Sequence, residues 1–121
     1  MSWAYKQSTG ELLHNNIHVA NGYSGHSAGL NNPLMQDVPD VGPIPRGTYT
    51  IGTFFTHPTK GPLAAHLTPL PGTQEYGRSE FLMHGDNAKM NHTASEGCII
   101  MAHDVRQKVM ESKDTQLVVE S

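Results

Sequence analysis

The sequence has little cysteine and little charge. Its 121 residues include one cysteine, so no disulfide can form within the chain and the fold depends on its hydrophobic core. Only 16% of the residues are charged, and the eight Lys and Arg residues are scattered along the chain. Without a basic patch, neither nucleic acid nor an anionic membrane is an expected partner.

Long apolar runs are also missing. No stretch approaches the ~18 residues of a membrane-spanning helix, and residues 1–10 lack the apolar core of a secretory signal. We therefore expect a protein that is made in the cytoplasm without a signal peptide. The chain length predicts one domain over residues 1–121.

Glycine and proline are plentiful, with 12 and 8 residues, and they predict many turns between short strands. Residues 21–41, rich in Gly, Asn, Ser and Pro, predict a long surface loop. Val105, Val109 and Met110 follow Asp104 at helical spacing, which predicts a short helix near 103–112. Apolar and β-branched runs predict strands at residues 3–6, 17–20, 48–54, 63–68, 81–83, 98–101 and 117–119. The sequence therefore predicts a mainly β protein with one short helix.

One cysteine and one histidine are the first candidates for chemistry. His84 ends the apolar run 81–83, and Cys98 begins the run 98–101, so two buried strands would bring them to neighbouring strand ends. A thiol has a pKa near ~8.5, and an imidazolium beside it favours the nucleophilic thiolate. The pair predicts a cysteine nucleophile with a histidine base.

The neighbours of this pair supply two further requirements of cysteine chemistry. The Gly85 carbonyl or the Asp86 carboxylate would hold the ring N–H of His84 and fix its tautomer. Gly97 allows a tight turn, so the N–H groups of Gly97 and Cys98 are expected to face the oxyanion.

The residue pattern alone leaves other interpretations open. Cys98 would be a packing residue in a non-catalytic binding or immunity-type β domain. A zinc site is the other alternative, although the spacing of its possible ligands matches no paired zinc pattern. Those ligands are His84, Asp86, His92, Cys98 and His103. Papain-like and NlpC/P60 enzymes are disfavoured, because they place the cysteine before the histidine.

Two blocks of the sequence resemble the YkuD-type L,D-transpeptidases. Residues 81–86 (FLMHGD) and 95–99 (SEGCI) are similar to that family's His-Gly strand end and its Ser-His-Gly-Cys motif. Residues 42–51 resemble its Pro-x-Gly-x-[Tyr/Phe]-x-Ile strand. Residues 22–40 and 92–98 are similar to a compact branch, the type VI secretion effectors with L,D-transpeptidase activity.

The resemblance implies a small curved β-sandwich or flattened barrel that needs no cofactor. It implies that Cys98 attacks tetrapeptide stems of peptidoglycan at the meso-diaminopimelate–D-Ala bond, with His84 as base and Ser95 and Gly97 in the motif. The expected activities are L,D-carboxypeptidase and D-amino-acid exchange. An effector of this kind would be secreted into the periplasm of a target bacterium, with secretion-apparatus components and an immunity protein as partners.

The sequence also departs from the resembled pattern. Ten residues separate His84 from Ser95, a short loop that lets His92 compete for the role of base. Glu96 replaces the second histidine of the motif, and Ile100 stands where Arg or Asn usually follows. The remaining candidates for substrate binding are Arg46, Arg78 and Tyr23.

Overall fold

The computed structural model describes residues 2–86, 95 and 97–121. These residues form ten β-strands, two short 3₁₀ helices (Ser27–Gly29 and Pro33–Met35) and one α-helix. The strands are β1 (Trp3–Lys6), β2 (Glu11–His14), β3 (Ile17–Asn21), β4 (Tyr23–Ser24), β5 (Gly47–Ile51), β6 (Phe55–His57), β7 (Gly61–Pro69), β8 (Leu82–His84), β9 (Ile99–Ile100) and β10 (Gln116–Glu120). The helix, α1, is His103–Ser112. No helix among these residues is long and apolar enough to cross a membrane.

The strands form a curled sheet in the order β3-β2-β1-β10-β5-β7-β8-β9-β4, with β6 paired to β7 outside this path. Most neighbours are antiparallel, but β1 with β10 and β8 with β9 are parallel. The two ends of the order, β3 and β4, are separated in the chain by Gly22 alone. A Cβ at Gly22 would collide with the Ile100 carbonyl oxygen, so glycine lets the link between β3 and β4 lie directly against β9. The result is a nearly closed, barrel-shaped sheet.

Strands β8 and β9 are buried on both faces, because their side chains alternate between two apolar clusters. Met83 and Ile99 enter the main core with Tyr5, Tyr49 and Leu117. The smaller cluster on the opposite face consists of Tyr23, Ala64, Leu82, Cys98 and Ile100. This double burial explains why both strands are short, continuous apolar runs in the sequence.

The structure confirms the predicted fold class, a mainly β barrel-like protein with one short helix, and differs from the prediction in detail. Residues 11–14 form a strand that the sequence analysis missed, since Leu12 is its one fully buried residue. Residues 21–41 are not a loop throughout, because Tyr23–Ser24 pairs with β9. The strand predicted at 48–54 ends at Ile51.

Candidate active site

The register of β8 and β9 brings His84 and Cys98 to one face of the sheet. In this parallel pair Met83 lies opposite Ile99, and His84 lies opposite Ile100. Cys98 precedes Ile99 and packs in the same cluster as Leu82, which is two residues before His84. Because residues two apart in a strand share a face, the thiol and the imidazole are diagonal neighbours on that face.

His84 has the tautomer that a general base requires. Its ring is 1% exposed, and Nδ1 donates to the Gly85 carbonyl oxygen at 2.7 Å. Nε2 has no hydrogen-bond partner in the part of the chain that the structure describes. Of the two orienting groups expected from the sequence, the Gly85 carbonyl is therefore the one observed. Asp86 instead accepts a hydrogen bond of 2.7 Å from the Tyr23 hydroxyl.

Burial sets the charge of His84. Desolvation lowers its pKa to about 4, against the opposing effect of the bond to Gly85, and the charges of Lys60, Arg106 and His57 lower it further. The ring is therefore neutral at pH 7 and can accept a proton. An imidazolium beside the thiol, which the sequence pattern favours, is therefore disfavoured by the burial of the ring.

Ser95 shapes the turn that leads into Cys98. Its fully buried hydroxyl donates to the Cys98 carbonyl oxygen at 2.6 Å and accepts from the N–H groups of Gly97 at 3.2 Å and Gly25 at 2.9 Å. His26 Nδ1 lies 2.9 Å from the Ser95 carbonyl oxygen, within hydrogen-bond distance, and this contact further stabilises the turn. The N–H of Gly97 is thus bonded to Ser95, which corrects the expectation that it faces the oxyanion.

Arg78, one of the candidates for substrate binding, is a buried structural residue. It is 7% exposed, and its guanidinium donates to the carbonyl oxygens of Gln36 at 2.5 Å, Gly42 at 2.9 Å and Pro43 at 2.8 Å. Burial lowers its pKa, while the charges of Tyr49, Asp40, Cys98 and Asp37 raise it. Because the guanidinium already donates to three backbone carbonyls, Arg78 is a weaker candidate for binding the substrate.

Gly97 has to be a glycine for two reasons. Its φ of +123° lies in a region that side chains rarely adopt. A Cβ on Gly97 would also collide with Nη2 of Arg78. The glycine of the motif thus lets the turn before Cys98 lie directly against the buried guanidinium.

Cys98 lines a polar cleft of about 440 Å³. Its thiol is 7% exposed and donates a weak hydrogen bond to the Glu80 carbonyl oxygen at 3.9 Å. The charged and titratable side chains that line the cleft are Asp40, His57, Lys60, Arg78 and Glu80. Arg46 lies elsewhere, in a groove with Leu34 and Tyr76, so the structure does not bring this candidate to the cysteine.

Sequence reasoning missed His57 and Lys60. His57 ends β6 and Lys60 lies in the turn to β7, where Pro58 and Gly61 are recognisable turn residues. That local signal predicts a hairpin, but it carries no information about a contact with a cleft formed by strands much later in the chain.

The zinc interpretation gains no support from the described residues. Within residues 2–86, 95 and 97–121, no three His, Cys, Asp or Glu side chains form a possible metal site. His103 is exposed at the start of α1, and Asp86 is bonded to Tyr23. His92 and Glu96 lie outside the described residues.

Fold and site together define a small β-barrel-like protein with a cysteine and a neutral histidine on one face of a parallel strand pair. The model of the Tlde1 domain matches residues 18–120, and the chain belongs to this family of L,D-transpeptidase-like type VI effectors. The family is associated with antibacterial, enzymatic activity on peptidoglycan. A comparison with curated proteins gave no match.

Proposed function

We propose that this protein is a cysteine enzyme of the YkuD-type L,D-transpeptidase kind, which cleaves tetrapeptide stems between meso-diaminopimelate and D-Ala. One observation carries the proposal. His84 holds its proton on Nδ1 and keeps Nε2 unbonded among the described residues, on the sheet face that also holds the single cysteine. A neutral imidazole with a free Nε2 is what a thiol nucleophile needs as its base.

The reaction proceeds in two halves. Cys98 Sγ–H gives its proton to His84 Nε2, and the sulfur bonds to the carbonyl carbon of the L-centre of meso-diaminopimelate. The bond to the D-Ala nitrogen then breaks, and the amine leaves with the proton from His84. Water resolves the thioester to a free acid, which is L,D-carboxypeptidase activity, while the amine of a D-amino acid gives exchange.

The oxyanion of the tetrahedral intermediate needs a backbone donor. Since Gly97 N–H is bonded to Ser95, we propose Cys98 N–H for this role. The Ser95 bond to the Cys98 carbonyl oxygen orients the peptide on the other side of the nucleophile. Ser95 and Gly97 therefore act as positioning residues rather than as groups that touch the substrate.

Mass analysis of purified muropeptides after incubation with the protein tests the reaction. We expect the tetrapeptide to lose one alanine, and an added D-amino acid to replace it. Cys98→Ala should abolish both products, and Cys98→Ser should be nearly inactive because a hydroxyl is far less acidic than a thiol. Unchanged muropeptides with folded wild-type protein, or full activity of Cys98→Ala, would contradict the proposal.

A thiol titration separates the enzyme from a non-catalytic binding or immunity-type domain. A nucleophilic Cys98 should react quickly with a small alkylating reagent at neutral pH. A cysteine that merely packs in the core should react slowly and without dependence on His84. Equal alkylation rates in wild type and His84→Ala would favour the binding domain.

The family assignment supports a proposal about location and partners. We propose that the protein is exported to the periplasm of a target bacterium, where the stems lie, and that a cognate immunity protein neutralises it there.

A further inference from the structure

One side of the cysteine cleft is formed by residues 57–60, which are the last residue of β6 and the turn to β7 and which we call the hairpin tip. Strand β6 pairs with β7 and lies outside the main strand order, whereas β7 belongs to it. His57, Thr59 and Lys60 of the tip line the same cleft as Cys98. The tip therefore faces the space that the substrate of the proposed reaction would occupy.

Arg106 fixes the base of this hairpin. From α1, its Nη1 donates to the carbonyl oxygens of Pro62 at 2.8 Å and Leu63 at 3.0 Å. Its Nε donates to the Met101 carbonyl oxygen at 3.1 Å, just beyond β9. Because one buried guanidinium joins the hairpin to the chain that follows Cys98, the tip and the thiol share a common support.

The tip presents two hydrogen-bond donors. His57 Nδ1 accepts from the N–H groups of Thr59 and Lys60, both at 3.1 Å, so the neutral ring carries its proton on Nε2. Lys60 is half-buried and forms no ion pair within the described part of the chain. The charges of Lys60 and His57 also lower the pKa of His84.

The two arginines that were candidates for substrate binding do not supply a free cation to this cleft. Arg78 donates to three backbone carbonyls, and Arg46 lies in a different groove. The charge of Asp40 acts on Arg78, whose pKa it raises. Glu80 is acidic and cannot attract an anion. Thr59 and Ser79 also line the cleft, but their hydroxyls carry no charge. Among the charged and titratable side chains that the structure describes there, Lys60 and His57 are thus the donors with capacity for a new anionic partner.

We propose that Lys60 and His57 bind a carboxylate of the acyl-donor stem peptide and so position the scissile carbonyl at Cys98. This inference rests on the proposed function. An ammonium and an imidazole N–H are charge-assisted donors to a carboxylate. Two stem carboxylates have this chemistry, that of the terminal D-Ala and that of the D-centre of meso-diaminopimelate.

The first test needs no turnover, because the single cysteine can be alkylated by iodoacetate, which carries a carboxylate, and by neutral iodoacetamide. We expect Lys60→Met to lower the iodoacetate to iodoacetamide rate ratio about threefold to tenfold. Lys108→Met, at an exposed position on α1, is the matched control and should leave the ratio unchanged. Equal ratios in the two variants would overturn the assignment.

His57→Asn isolates the imidazole donor. Asparagine Oδ1 takes the place of Nδ1 and can still accept from the loop N–H groups, while the donor at Nε2 is lost. The alkylation ratio should fall about twofold to threefold, with the urea unfolding midpoint unchanged. An unchanged ratio in this variant would remove His57 from the site and leave Lys60 alone.

The second test identifies the carboxylate. With the unmodified tetrapeptide stem, Lys60→Met should raise KM about tenfold and change kcat less. A stem amidated at the recognised carboxylate should give equal KM values for wild type and variant, and a stem amidated at the other carboxylate should keep the difference. If both amidated stems keep it, the inference is wrong. If wild type turns over no stem at all, the proposed function fails, and the alkylation ratio still decides whether the anion site exists.

Discussion

The hydroxyl of Ser95 donates a 2.6 Å hydrogen bond to the carbonyl oxygen of Cys98. The Ser95 hydroxyl oxygen also accepts from the N–H groups of Gly97 and Gly25, so this one buried atom joins the turn before the cysteine to the segment after β4. The position of the thiol therefore depends on a residue that is three places earlier in the sequence and that we assign no contact with substrate.

Ser95→Ala tests this dependence. The substitution leaves two buried N–H groups and one carbonyl without their partner, so we expect the free energy of unfolding to fall by about 1–3 kcal/mol in urea titrations. Muropeptide turnover should fall about tenfold to a hundredfold, because small displacements of a nucleophile are costly. Ser8→Ala, at an exposed position in the turn between β1 and β2, is the control and should match wild type. Wild-type stability of Ser95→Ala would show that the bond contributes little.

Gly97→Ala tests the contact between the turn and Arg78. Gly72→Ala is a matched control, because Gly72 also has positive φ (+94°) but has no atoms within 4 Å of an added Cβ. Both variants suffer backbone strain of about 1–3 kcal/mol. Gly97→Ala should lose clearly more unfolding free energy than Gly72→Ala, since its methyl group also displaces the buried guanidinium. Equal losses would mean that Arg78 moves aside at no cost.

The sequence predicts the fold class and both strands of the pair that forms the site. Continuous apolar runs at 81–83 and 98–101 indicate strands buried on both faces, and the structure contains β8 and β9 there. Strand β2 was missed because only Leu12 of its residues is fully buried, so its alternation is weak. Its pairing with β1 and β3 comes from tertiary context, which a local pattern does not contain.

The site was predictable only where its residues are close in sequence. Gly85 as partner of the His84 ring follows from adjacency, and the structure has this bond. The neutral charge of His84 depends on burial by the whole barrel, and the approach of Lys60 depends on how a distant hairpin packs. Neither property is encoded in the residues around the motif.

His84 should make the protein sensitive to acid. Its folded pKa of about 4 lies below the ~6.5 of an unfolded histidine, so the unfolded chain binds a proton first as the pH falls. The stabilising contribution is complete above pH ~6.5, and roughly 3 kcal/mol is lost as the pH falls to about 4. His84→Gln should remove this part of the pH dependence in urea titrations, while the exposed control His103→Gln should retain it. Identical pH profiles for all three proteins would contradict the burial of a neutral ring.

Comparing His84→Ala with His92→Ala tests which histidine is the base. His84 is held by strand β8 and by Gly85, whereas the sequence places His92 in a polar stretch. We expect His84→Ala to lower kcat/KM by about 10²–10⁴-fold and His92→Ala to lower it much less. Circular dichroism should show that both variants fold. The opposite ranking would assign the role of base to His92.

The proposed location is tested by expressing the protein in two compartments. Peptidoglycan stems lie outside the cytoplasmic membrane, so cytoplasmic expression of the chain in a bacterium should be harmless. Fusion to a periplasmic signal should cause swelling or lysis, scored by microscopy and optical density.

The Cys98→Ala fusion is the matched control and should be harmless at equal protein levels, because it lacks the nucleophile. Coexpression of a cognate periplasmic immunity protein should rescue the wild-type fusion. Equal toxicity of the cytoplasmic form would instead indicate a target inside the cell, and toxicity of the Cys98→Ala fusion would show that the damage does not come from thioester chemistry.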